Sequence, residues 1–193
     1  PPGAEYVATL LGCLYAGAVA VPVQPHIRDR LAEIVDDAQP AAAIGLPVTE
    51  VRTLSDFASD PREWRHPDIG PDTLAVVQYA QSGPVLGVML SQANLAAAAT
   101  RLVEHVGMRA GTGVVSYLQP YSDLGLVGGV LAPLLTGARV TLLPADTTPG
   151  EWLRMVSLRR AAISFAPDLA YAWHTMPAGL DLSHWDVAVT GAG

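Results

Sequence analysis

Residues 80–86, AQSGPVL, join two apolar runs, and the chemistry to weigh for such a connection is oxyanion binding through its backbone groups. A loop that wraps a polyphosphate needs several consecutive N–H groups turned inward. That calls for glycines at positive φ, with hydroxyls or a cation to offset the charge. Ser82 and Gly83 supply one small nest, whereas Pro84 removes a donor and Val85 and Leu86 add only apolar surface. The chain has eleven basic side chains, all of them arginine, so no lysine is available for the task. These residues read as a tight turn between strands before they read as a triphosphate cradle.

Other polar residues make weaker constellations. His26, His66, His105, His174 and His184 are scattered without metal-ligand spacing. Asp36 and Asp37 are adjacent on a helix, point in different directions and read as a solvated face. Ser91 has no nucleophile-elbow pattern and no identifiable base. Arg159 and Arg160 suit the C-terminal end of a helix dipole. The single cysteine, Cys13, excludes an intramolecular disulfide and reads as a small core residue.

The elements that must position these residues alternate. Residues 6–15 have helical spacing and Gly17 suits a C-terminal cap, after which residues 19–23 alternate like a strand; a buried helix and a buried strand are expected. Further helices are predicted over 27–38, 92–106, 123–135, 149–160 and 168–176, with a short turn near 54–58. Strands are predicted over 41–45 (buried), 74–79, 87–90, 114–118, 139–143, 161–165 and 187–190. Ser91 is a plausible N-cap and Gly107 a stop for the helix between them. Repeated strand-helix-strand steps with apolar strands imply an α/β fold, a largely parallel sheet with helices on both faces. Ligand sites in such sheets lie at strand ends and the turns that follow.

Half of the 193 residues are hydrophobic, enough for one sizeable core or part of a larger one, and the formal charge is −7. A net negative chain without a basic cluster argues against a nucleic-acid partner. The uncharged run 6–23 is long enough to raise a membrane span, but its change of period favours helix then strand, so no span is expected. The start lacks the basic region of a signal peptide, which makes a cytoplasmic location the expectation.

Several motifs in one order resemble fatty acyl-AMP ligases of the adenylate-forming, acyl-activating superfamily. Gln78 and Tyr79, then Gly87 through Ser91 and Ala93 through Leu95, match QYTSGSTGxPKGVMLSHANL on either side of its phosphate loop. The intervening 80–86 are shorter and lack its threonine and lysine. Residues 1–23 resemble the family's early helix and strand. Residues 121–129, YSDLGLVGG, resemble YHDMGLIGG with Ser122 in the histidine's place. Residues 166–171, APDLAY, resemble APNFAY; 180–185 resemble LDLSSW; and 190–193, TGAG, resemble NGAE without its glutamate.

The resemblance implies the large N-terminal domain of such an enzyme, with residues 1–193 as a single incomplete domain and the small C-terminal domain lying outside it. The complete enzyme would join a fatty carboxylate to the α-phosphate of Mg-ATP, expel pyrophosphate and pass the acyl-adenylate to a carrier thiol. Carried over, Gln78, Tyr79, Ser82, Gly83, Gly87, Gly191 and Ala192 stand on a degenerate nucleotide side, and Tyr121, Asp123, Gly125, Pro167, Asp168 and Tyr171 on an acyl side. The same acyl-side residues also suit helix capping and packing, with Asp123 and Asp168 as caps. No residue carries over as catalytic and none as a metal ligand. Losing one electrostatic stabiliser costs on the order of 100-fold in rate, and several are missing. The expectation is an inactive domain that binds an acyl group or a carrier protein of lipid or polyketide biosynthesis, with no cofactor of its own; ATP and Mg enter only if the family activity persists. An oligomer or partner is expected to cover exposed edges.

Overall fold

Short apolar runs separated by helices line up in parallel as the central sheet: β5 (Gly113–Ser116), β6 (Arg139–Leu142), β7 (Ile163–Pro167) and β8 (Val187–Gly191), in the order β6-β5-β7-β8. The computed structural model describes residues 3–24, 28–45, 52–53, 60–80, 83–171 and 177–191. Every residue of β5 is buried, as expected of a strand covered on both faces. Val115 points to the face covered by α6 (Pro149–Leu158), where Trp152, Leu153 and Val156 pack with Ala166. Val114 points to the other face and packs with Ile163, Phe165 and Ala132. There α4 (Asp123–Leu126) runs through a π-helical turn (Val127–Leu131) into α5 (Ala132–Thr136), beside α3 (Gln92–Val106). Burying Trp152 and Phe165, each at most 1% exposed, stabilises the two faces by about 1.5–3 kcal/mol per large side chain.

A smaller unit carries the segment of interest. β3 (Leu74–Tyr79) and β4 (Gly87–Ser91) pair antiparallel, the one departure from the parallel expectation among the larger strands. Ala75 and Val76 pack with Leu10 of α1 (Ala4–Tyr15), Leu95 of α3, and Leu126 and Val130. α2 (Arg28–Ala38) buries Ile34. β1 (Ala42–Ala43) and β2 (Arg52–Thr53) form a short parallel pair.

Several expectations need correction. Residues 19–23 are not a strand: Ala20 alone bridges to Val76, with its N–H donating to the Ala75 carbonyl and its carbonyl accepting from Val77, both at 2.9 Å. Alternation marked an extended segment, but no second register position finds a partner among the described residues. α1 is not a buried helix either, since Leu10 is enclosed but Tyr15 is 60% exposed, and Cys13 is half-buried. The strand at 41–45 shortens to two half-buried residues. The helix expected over 168–176 is one described turn, α7 (Asp168–Tyr171); residues 172–176, and the turn expected near 54–58, lie outside the described residues. Among the described residues no helix is long and apolar enough to cross a membrane.

Candidate functional site

Tyr79 and Gly87 form the last register pair of the hairpin, so residues 80–86 are its connection. Gly83 has φ 80°, a left-handed conformation that suits glycine, and both Gly83 and Pro84 are exposed. Leu86 is 63% exposed. Ser82 lies outside the described residues. Gly87 packs under its neighbours: a Cβ there would come 2.7 Å from the Val77 side chain.

Three side chains tie down the start of this connection. Arg30 Nη1 of α2 donates to the Ala80 carbonyl at 2.8 Å. Tyr79 donates its hydroxyl to the Asp37 carboxylate at 2.6 Å. Burial, then the hydrogen bond and charge of Asp37, push the Tyr79 phenol up to about 12. Asp37 is therefore a tether and not merely a solvated helix face. Gln78, half-buried, donates from Nε2 to the Tyr121 carbonyl at 3.4 Å, which brings the nucleotide-side and acyl-side candidates into contact.

Tyr121 follows the buried Pro120 and leads into α4. Burial raises its phenol pKa and a hydrogen bond with Gln24 opposes the rise. Beside it, the Tyr6 hydroxyl is enclosed and has no partner among the described residues; burial, then the proximity of Tyr121, push it up to about 12. The cap of α4 is Ser122 and not Asp123: its hydroxyl accepts from Gly125 N at 3.2 Å and donates to the Gln119 carbonyl at 2.8 Å. Asp123 is the first helical residue, exposed, with its carboxylate accepting from Leu124 N at 2.6 Å. Gly125 lies so close to the Gln119 carbonyl that any Cβ would overlap it, which accounts for glycine there by packing alone.

The C-terminal ends of β7 and β8 make the other wall. Pro167 pairs with Gly191, and Gly191 approaches α4 closely, a Cβ there lying 2.9 Å from Leu124. Asp168 is exposed at the start of α7, and its carboxylate accepts the Thr190 hydroxyl rather than a helix N–H. The Tyr171 hydroxyl donates to the Val189 carbonyl at 3.0 Å and lies 3.2 Å from Ser164 Oγ, which in turn accepts from Trp185 Nε1 at 3.0 Å. Its ring stacks on Trp185 and meets Trp152 edge-on. Tyr171 thus closes the β7–β8 layer. Ala192 lies outside the described residues.

The candidates therefore gather in two groups: Gln78 and Tyr79 with Tyr121, joined by the Gln78–Tyr121 hydrogen bond, and Pro167, Asp168 and Gly191 at the ends of β7 and β8, with Gly191 against Leu124 of α4. An open groove of about 600 Å3, lined by Leu11, Tyr15, His66, Ile69 and Gln92 among others, shares no residue with them. The sequence motifs assigned no role to Arg30, Tyr6 or Gln24 and included Thr190 only as the first residue of TGAG. Arg30, Gln24 and Thr190 bond to residues far along the chain, fifty positions in the case of Arg30, and Tyr6 is brought beside Tyr121, meetings for which local spacing carries no signal. Among the described residues no group of three or more His, Cys, Asp or Glu is arranged to hold a metal.

A family model described as AMP-binding enzyme matches residues 1–193. The chain is 30% identical over 231 positions to the medium-chain-fatty-acid acyl-carrier-protein ligase JamA of Moorena producens, covering 100% of this chain and 39% of that protein. It is 27% identical to the probable long-chain-fatty-acid–AMP ligase FadD30 of Mycobacterium tuberculosis, over 100% of this chain and 40% of that one. A fatty acyl-adenylate ligase from L. pneumophila, solved with acyl adenylate and pyrophosphate, superposes with a TM-score of 0.87 at 28% identity, over 100% of this chain and 39% of that one. The chain thus spans about two-fifths of the length of these relatives. The match to JamA runs over more positions than the chain's 193 residues, so the chain is the shorter of the two within the aligned stretch.

Proposed function

Because the chain belongs to the AMP-binding enzyme family, we propose that it is a fatty acyl-AMP ligase-like unit that forms no acyl-adenylate by itself and serves to bind an acyl group or an acyl carrier protein in lipid or polyketide biosynthesis. The observation that carries this reading is the composition of residues 80–86. Enzymes of the family use ATP and Mg, and a triphosphate requires several inward N–H donors and a cation. The described part of this connection offers one glycine at positive φ, a proline, a half-buried valine and an exposed leucine. ATP does not fit that donor set, and we assign no adenylation step to it. The acyl side is proposed to be Tyr121, Asp123, Gly125, Pro167 and Asp168 around α4, with Tyr171 holding the wall behind them. Gln78, Tyr79, Ser82, Gly83, Gly87, Gly191 and Ala192 are proposed as the remnant of the nucleotide side.

The test is direct. The purified chain, given ATP, Mg and fatty acids of graded length, is expected to give no fatty-acid-dependent hydroxamate on hydroxylamine trapping and no micromolar Mg-dependent ATP binding by calorimetry. Clear hydroxamate would overturn the inactive reading. A second reading, an active ligase whose remaining catalytic parts lie outside these residues, draws support from the whole-chain superposition on a relative that holds acyl adenylate and pyrophosphate. The same hydroxamate signal would favour it.

A further inference from the structure

We propose that Arg30 is an oxyanion-binding residue at the foot of the β3–β4 connection, a contact supplied by α2 and not by the connection itself. Its guanidinium is half used. Nη1 is held by the Ala80 carbonyl at 2.8 Å, while Nη2 is shut off from solvent and has no hydrogen-bond partner among the described residues. Nor does any carboxylate among the described residues form an ion pair with it, and Asp37, further along α2, is engaged by the Tyr79 hydroxyl. An enclosed guanidinium nitrogen with free N–H groups and no counter-charge is unfavourable, and an anion removes both deficits at once. Arginine suits the task because its planar fork presents parallel N–H groups to phosphate or carboxylate oxygens. Ala80 directly follows the C-terminal residue of β3, so the anion would sit where the hairpin connection begins.

The ligand class is a small oxyanion, either an inorganic phosphate type or a carboxylate. The inference holds whether or not the chain adenylates, because its assays contain no ATP and read no turnover. The guanidinium resonances of 15N-labelled protein are followed while sodium phosphate is added in one arm and octanoate in another, at constant ionic strength. The Arg30 signal is expected to shift with a Kd of ~1 mM, the affinity that one or two charge-assisted hydrogen bonds give. A shift with phosphate alone identifies a phosphate-type ligand, and one with octanoate alone a carboxylate. Arg30→Gln is expected to weaken binding at least tenfold and Arg30→Lys to weaken it less, because charge survives and the fork does not. An Arg30 signal that moves with neither anion overturns the proposal, as does unchanged affinity in folded Arg30→Gln protein. Should that variant fail to fold, the wild-type titration decides alone.

Discussion

Tyr6 keeps its hydroxyl where neither solvent nor a described protein acceptor reaches it. An enclosed donor without a partner costs about 1–3 kcal/mol, so Tyr6→Phe is expected to raise the urea midpoint, corresponding to a gain of about 1 kcal/mol. The same burial sets a pH dependence. With the Tyr6 phenol moved from 10.0 to about 12, the folded state keeps a proton that the unfolded chain has lost. This contribution is fully present below pH 10.0 and is lost as pH rises toward about 12, so urea midpoints should fall across that window and fall less in Tyr6→Phe. Gly125→Ala should be among the more damaging small substitutions, at about 1–3 kcal/mol or more, because the added methyl meets a backbone carbonyl that cannot swing away; a urea melt measures it. Motif order alone singled out Gln78 and Tyr121, and the structure joins them through one amide hydrogen bond. The tethers Arg30 and Asp37 were hidden because their partners sit across the fold from a helix that locally reads as a polar face.

α3 shows how far local chemistry reaches. Ser91 accepts from Asn94 N at 3.2 Å, the Asn94 side chain accepts from Ser91 N at 3.0 Å, and Gly107 at φ 65° ends the helix; the Ser91 cap and the Gly107 stop were legible in the sequence, and the reciprocal bond from Asn94 was not. Ser91→Ala should destabilise the protein by about 1 kcal/mol, read as a shift in thermal midpoint, and Ser91→Asp should recover most of it. α6 repeats the device with Thr148, Glu151 and a proline at its first position. What local signals do not reach is pairing. Residues 19–23 and 41–45 have the apolar content of strands, yet a strand exists only where a neighbour supplies donors and acceptors in register, and among the described residues one bridge and two residue pairs form. The π-helical turn at Val127–Leu131 was equally hidden, being fitted to Phe165 and Ser116 beneath it, residues distant in sequence.

At the scale of the whole molecule, β4 pairs only with β3 among the described residues and carries Val88 and Met89 at 57% and 67% exposure, next to Leu86. An apolar edge strand of this kind invites association. Light scattering behind a sizing column should show a mass that grows with protein concentration, and Met89→Lys should hold it closer to the 193-residue monomer. The sheet order has a separate consequence for synthesis. β5 lies between β6 and β7, and its register with β7 couples Val114 to Ile163. The hairpin and α3 can form from residues made together, but the inner strand of the sheet has one bare side until the ribosome has delivered β7. A nascent chain stalled between α6 and β7 should therefore resist chaperone release, and become independent of it once Pro167 has cleared the exit tunnel.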